Sequence, residues 1–205
     1  LCHRAACRVD LHWAISDISN FAQGAAGQRS GWRLPFDGLL RLASSCATCG
    51  SGMIDVILSA RCVRKLKREL KNAGQNEIGG VMAAEQIADG QFVVRDLSVQ
   101  RNGTPTSFVR DPLQHRKFMR RFRMLTGNNH ERFNYLGEWH SHPSFLALPS
   151  PPDVWSMQEE MHDPEQASSF LVLLILKLGR SGRLVGSTHA FRRAQAPIRV
   201  RLGAS

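Results

Sequence analysis

The feature that most constrains the fold is a strand pattern that ends at a proline and is soon followed by a helix start. Residues 133–142 are rich in apolar and aromatic side chains, which is typical of a β-strand. Pro143 lacks the backbone N–H that a sheet needs, so the strand ends there. Ser150 is a good helix N-cap, and the two prolines after it suit the first turn of a helix. The chain therefore turns from a strand into a helix within this segment.

Both sides of this turn carry side chains that can bind a metal ion. His140 and His142 are two residues apart in the predicted strand, so both imidazoles point to one face and can reach one ion. Asp153 falls in the first turn of the predicted helix, where the helix dipole favours a carboxylate. A hydrolytic zinc site needs three protein ligands, an open position for water and a base that is not a ligand. Glu77, in an upstream Asn-Glu-Ile-Gly-Gly segment, can supply that base.

Simpler interpretations of the same residues exist. A Ser-x-x-Asp sequence before an apolar stretch is also an ordinary helix cap, and a His-x-His pair on a strand is often no more than a polar face. Glu138 is a second candidate for the base, because it shares a strand face with both histidines. It could instead orient an imidazole, or lie at the sheet surface. Because all these motif positions occur together, we favour a zinc site over an ordinary helix cap and an unrelated polar strand face.

The order of the motifs resembles that of a known metalloprotease family. A glutamate followed later by His-x-His, seven residues and Ser-x-x-Asp defines the JAMM (MPN+, Mov34/JAB) zinc metalloproteases, and every position of that pattern is present here. The flanking residues 76–80 and 137–143 are similar to those of the bacterial JAB branch found in integrative elements and CBASS antiphage islands. The resemblance covers roughly residues 53–205.

This resemblance implies a fold and a role for each motif residue. The fold would be α+β, an MPN (JAB) domain with a curved, mostly antiparallel sheet flanked by helices. His140, His142 and Asp153 would bind one zinc ion. Glu77 would take the proton of the zinc-bound water and pass it to the leaving amine, and the adjacent glycines would let a neighbouring backbone approach closely. Ser150 would donate a hydrogen bond to the oxyanion of the reaction.

Two classes of function are consistent with these motifs. By resemblance, the chain is a zinc isopeptidase or peptidase that cleaves after a ubiquitin-like C-terminal tail or removes a conjugated protein. Its partners would then be bacterial E1- and E2-like enzymes of an antiphage system. The alternative is a DNA-associated protein, because His142-Pro143-Ser144 is similar to the RadC-like members of the same superfamily. Intact Glu77 and Ser150 favour the enzyme, since a binding module needs no base.

Charge bears on the choice of partner. The 205 residues include 27 Lys plus Arg against 17 Asp plus Glu, for a net charge of +10. The basic residues cluster in two predicted helices, at 59–73 and 111–125, and such clusters are most often solvated faces. The functional alternative is attraction to an acidic protein or to nucleic acid. The chain has no aromatic-interleaved basic groove of the kind that binds single strands, which disfavours nucleic acid without excluding it.

The chain divides near Met53. Residues 1–52 show no regular period, and we expect them to be a disordered or wrongly assigned N-terminal extension, with Met53 the true start of a metalloprotease domain at 53–205. Four of the five cysteines lie in this extension, at Cys2, Cys7, Cys46 and Cys49. Their spacing permits a second zinc site, but the ribbon pattern that such a site requires is missing.

The remaining elements follow from periodicity and turn residues. Helices are predicted at 59–73, 111–125 and 154–162, and strands at 77–84, 91–100, 133–142, 170–178, 184–191 and 198–202. Strands with helices packed at their sides suit an α+β fold. The longest apolar run, within 170–178, is too short to cross a bilayer, and no clear signal peptide opens the chain. We therefore expect a cytoplasmic protein with no membrane partner.

Overall fold

The computed structural model describes residues 53–164, 166 and 168–205. Its helices are α1 (Ala60–Ala73), α2 (Pro112–Leu125) and α3 (Pro151–His162). Its strands are β1 (Asp55–Leu58), β2 (Gly79–Ala88), β3 (Gln91–Leu97), β4 (Phe133–Ser141), β5 (Leu171–Leu178), β6 (Leu184–Phe191) and β7 (Ile198–Ala204). The predicted N-terminal extension, with the second zinc site weighed for its cysteines, lies outside the described residues.

The strands form one closed, barrel-like sheet in the order β1-β3-β2-β4-β5-β6-β7. Four neighbouring pairs are antiparallel, namely β2–β3, β2–β4, β5–β6 and β6–β7. The pairs β1–β3, β1–β7 and β4–β5 are parallel. The expected α+β fold with a curved, mostly antiparallel sheet is confirmed. Closure depends on β1, a four-residue strand too short to show a period in the sequence, which pairs with β7 and removes the free edges.

Each helix follows an N-cap residue, and the predicted cap at Ser150 is confirmed, although α3 begins at Pro151 and not at residue 154. Ser59, Asp111 and Ser150 all accept a hydrogen bond from the first turn of the helix that follows, which satisfies backbone donors that have no partner within the helix. Gly74 ends α1 with a positive φ of 61°, a conformation that glycine adopts readily at the end of a helix. The strand ends are less accurate, since β3 stops at Leu97 instead of at residue 100.

The sheet carries an apolar layer on each face. On one face, α1 packs its buried Leu66 and Leu70 into a cluster that includes Trp139. On the other, α2 and α3 pack apolar side chains such as Met119 and Met157 into a second cluster. Alternate residues of β5 enter the two clusters, so this strand is apolar along its whole buried length. Burying each large aliphatic side chain contributes about 1.5–3 kcal/mol.

A bulge in β4 decides which of its side chains face the second layer. The register between β4 and β2 shifts after Gly137, which leaves Leu136 without an opposite residue. On a regular strand Tyr135 and Glu138, three residues apart, would point to opposite faces. Because of the bulge, both reach one network of charged groups beside α3, in which Tyr135 donates to Glu160.

We expect Gly137→Ala to destabilise the fold by about 3 kcal/mol or more, because the bulge requires a glycine there. Gly137 has a φ of 142°, and a Cβ on it would lie 2.1 Å from the carbonyl oxygen of Val172. Gly182→Ala is the matched control, since Gly182 also has a positive φ of 70° but has open space around its Cβ position. Urea unfolding measures both, and equal losses in the two variants would contradict the close approach to β5.

Candidate metal centre

The structure brings the three predicted ligands together where β4 ends and α3 begins. The Nε2 atoms of His140 and His142 are 3.1 Å apart. His140 Nε2 lies 3.2 Å from Oδ1 of Asp153, and His142 Nε2 lies 3.5 Å from Oδ2. Among the described residues these three form a cluster whose ligand atoms all lie within 4.8 Å of one another. One small cation can therefore contact all three side chains.

The spacing and the donor set fit zinc. Two atoms each about 2.0–2.1 Å from a tetrahedral zinc lie roughly 3.3 Å apart, and the three separations observed bracket that value. His142 Nδ1 lies 3.0 Å from the carbonyl oxygen of Leu146, an acceptor that requires the proton to be on Nδ1. The lone pair of His142 Nε2 is thereby left available to a metal.

Asp153 is held in place by the N-cap of its own helix. The backbone N–H and the hydroxyl of Ser150 both donate to Asp153 Oδ2, at 2.7 Å each, and the Asp153 N–H faces Ser150 Oγ at 3.4 Å. Burial acts to raise the pKa of Asp153, but the two neighbouring imidazoles and the hydrogen bond from Ser150 hold that pKa well below its usual range. The ordinary helix cap is therefore present, and it orients a charged carboxylate toward the imidazoles.

Glu77 lies in the same cleft and is largely buried. The residue as a whole is 6% exposed, and burial raises the pKa of Glu77. Its backbone N–H donates to the carbonyl of Thr104 at 2.8 Å, which ties the residue to the loop between β3 and α2. The close backbone approach expected at the adjacent glycines is present, because a Cβ on Gly80 would lie 2.3 Å from the carbonyl oxygen of Ser98.

Glu138, the second candidate for the base, is engaged elsewhere. Its carboxylate forms an ion pair with Arg110, and burial raises the pKa of Glu138. Arg110 also donates to Glu160 at 2.9 Å and to Ser156 at 2.7 Å. Sequence reasoning missed Arg110, because an isolated arginine in a loop belongs to no motif, and its partners are 28 to 50 residues away along the chain.

The cleft around these residues has a volume of about 830 Å³ and an apolar wall. That wall includes Phe145, Leu146 and Leu148, whose side chains are partly or largely exposed. The loop that carries them is anchored, because Lys177 donates to the carbonyl of Phe145 at 2.6 Å and Ser144 donates to Gln75 at 2.9 Å. The cleft therefore presents apolar side chains from a fixed loop beside the three clustered ligands.

Comparison with known protein families gives a match that covers most of the chain. The family model of prokaryotic homologues of the JAB domain matches residues 59–191. The chain belongs to this family. The resemblance inferred from its motifs is confirmed, and the α+β architecture described above is that of the JAB (MPN) domain.

The chain is similar to one curated protein and, in different degrees, to two solved structures. A protein of Enterobacter hormaechei subsp. hoffmannii (strain UCI 50), named CD-NTase/cGAS isopeptidase, is 26% identical over 150 residues, which are 71% of this chain and 80% of the relative. The solution structure of a protein from Desulfitobacterium hafniense has the same fold, with a TM-score of 0.56, 17% identity and coverage of 73% of this chain and 92% of that one. A JAB1/MPN domain protein from Archaeoglobus fulgidus aligns with a TM-score of 0.37 and 13% identity over 75% of this chain and 99% of that one, a likeness too weak to bear on the fold.

The sequence analysis expects no segment that crosses a membrane, and the helices of the JAB domain bear on this expectation. In the part of the chain that the structure describes, no helix has the length and apolar character needed to span a bilayer.

Proposed function

We propose that this JAB-domain protein is a zinc-dependent isopeptidase that releases a protein from a conjugate. The observation that carries the proposal is the convergence of His140, His142 and Asp153 beside the buried Glu77 in one cleft. The curated relative named as an isopeptidase supports the reaction class.

Each of the three ligands would contribute one atom to the zinc. These are Nε2 of His140, Nε2 of His142 and a carboxylate oxygen of Asp153. Bound there, zinc supplies Lewis-acid activation of water and of the substrate carbonyl. The cap hydrogen bonds from Ser150 keep the Asp153 carboxylate ionised and oriented, which favours binding of a cation.

Glu77 would act as the general base and then as the general acid. It accepts the proton of the attacking water and delivers it to the amine nitrogen that leaves. A proton shuttle works best when its pKa lies near the operating pH, and burial moves the pKa of Glu77 in that direction. Ser150 can turn its hydroxyl from Asp153 to the substrate carbonyl oxygen as negative charge develops there, which typically contributes about 3 kcal/mol.

The proposed substrate is an extended protein tail joined through its carboxyl end to an amine. An open cleft with an apolar wall at Phe145, Leu146 and Leu148 suits a flexible chain with apolar side chains near the scissile bond. E1- and E2-like enzymes would generate the conjugate, and the cytoplasm would be the site of action. By analogy with the CD-NTase/cGAS isopeptidase, the setting would be a CBASS-like antiphage system.

Two measurements test this proposal on the full chain. We expect about one zinc ion per wild-type chain by elemental analysis, and almost none in the His140→Ala/His142→Ala variant, because one remaining carboxylate cannot hold zinc. We also expect the wild type, but not the variant, to cleave an isopeptide conjugate of a CD-NTase. Intact mass spectrometry would detect the released proteins. A folded wild-type protein without zinc would refute the proposal.

A further inference from the structure

Arg110 bridges the two elements that carry the clustered ligands. It lies in the loop before α2 and lines the cleft, with its side chain 30% exposed. One guanidinium nitrogen, Nη1, contacts the carboxylate of Glu138 on β4 and donates to Glu160 on α3 at 2.9 Å. The other, Nη2, donates to the hydroxyl of Ser156 on α3 at 2.7 Å.

The contacts of Arg110 fall close to the ligands along each element. Glu138 lies two residues before His140 on β4, so its side chain is on the same face. Ser156 is three residues after Asp153 on α3, which places the two on neighbouring turns of one helix face. A shift of α3 against β4 would therefore move Asp153 relative to the histidines and would also break the contacts of Arg110.

The geometry of this network suits an arginine. Glu138 and Glu160 are both buried, at 8% exposure each, and the guanidinium of Arg110, which contacts both, offsets the repulsion between their carboxylates. Tyr135 donates to the second oxygen of Glu160 at 2.9 Å, which fixes that carboxylate on the side of β4. A planar guanidinium can bind three acceptors at fixed angles, whereas a lysine ammonium on a flexible stem is a point charge without this fork.

We propose that Arg110 is a positioning residue of the metal centre, which sets the distance between the Asp153 carboxylate on α3 and the two imidazoles on β4. This inference rests on the proposed zinc site. It assigns to the loop before α2 a part in metal binding, although no residue of that loop is among the clustered ligands.

The test compares Arg110→Lys with Arg132→Lys. Arg132 also pairs with a buried glutamate, Glu85, with its Nε 2.7 Å from Oε1, but it does not line the cleft. Competition with a chromophoric chelator measures zinc affinity, the visible absorption of the Co²⁺-loaded protein reports ligand geometry, and thermal unfolding of the metal-free protein measures stability. We expect Arg110→Lys to bind zinc at least about 10-fold more weakly and to alter the Co²⁺ spectrum. Arg132→Lys should have the zinc affinity and the Co²⁺ spectrum of the wild type, even if its unfolding temperature is lower.

Three results would count against the inference. In the first, Arg110→Lys keeps the zinc affinity and the Co²⁺ spectrum of the wild type but unfolds at a lower temperature. Arg110 would then stabilise the fold without positioning the metal ligands. If Arg110→Lys does not fold, Ser156→Ala decides in its place, because it removes one contact and leaves both ion pairs. We expect its zinc affinity to fall on the order of 3-fold, and an unchanged affinity would overturn the inference. A wild-type protein that binds no zinc would refute the proposed function itself, and this inference with it.

Discussion

Glu77→Gln is expected to bind zinc as tightly as the wild type and to lose turnover by about 100-fold or more. The amide keeps the shape of the side chain but cannot accept and return a proton. Glu77 is not one of the three clustered ligands, so its replacement leaves the metal affinity intact. Because burial raises the pKa of Glu77, removing its charge also removes a desolvation cost, and the metal-free variant should unfold at or above the wild-type temperature. Zinc titration, thermal unfolding and conjugate cleavage measure the three quantities.

Glu85→Gln is the matched control for this substitution. Glu85 is also a buried glutamate, but it lies on β2 outside the cleft, where it pairs with Arg95 and Arg132. The same chemical change there should lower stability and leave turnover per folded molecule unchanged. Full turnover in Glu77→Gln would refute the assignment of the base. If that variant also bound DNA with an affinity that falls steeply with salt, the RadC-like, DNA-associated alternative would be favoured instead.

Asp153→Ala is expected to lose both zinc and turnover. Replacing a residue that merely orients a ligand typically costs about 10- to 100-fold in metal affinity, so loss of a ligand should exceed about 100-fold. The substitution also removes the acceptor of two hydrogen bonds from Ser150, which should weaken the start of α3 by about 1 kcal/mol. Chelator competition gives the zinc affinity, and urea unfolding of the metal-free protein gives the stability.

The control for this prediction is Glu159→Ala. Glu159 is an exposed carboxylate on the same helix, so the variant has the same change in charge without a change in the ligand cluster. Its zinc affinity should equal that of the wild type. An Asp153→Ala variant that keeps both zinc and turnover would show that the third ligand has been misplaced.

Local geometry made much of the site predictable. Side chains two residues apart on a strand share a face, so strand periodicity alone places His140 and His142 side by side. Ser150 and the two prolines after it predict the start of a helix, and they therefore place Asp153 in its first turn. These relations depend on residues close in sequence, where backbone periodicity alone fixes direction. The same reason explains why α1 and α2 begin within one residue of their predicted starts, whereas α3 begins three residues before the predicted residue 154.

Prediction was weaker where a structure depends on distant partners. The strand β1 shows no pattern of its own and exists because β3 and β7 lie on either side of it. The bulge at Gly137 arises from pairing with β2 and from the close carbonyl of Val172 on β5. A sequence window contains neither partner, so neither feature was predicted.

Patterns within the sequence predict the family, the α+β class, the cap of α3 and the three side chains that cluster at the candidate metal centre. The folded chain was needed to show that Glu77 is buried in the same cleft, that Glu138 is paired with Arg110, and that an anchored apolar loop lines the cleft. The physical reason is the range of the interactions involved. Caps and strand alternation act over a few residues, whereas burial and ion pairing act between groups that only the folded chain brings into contact.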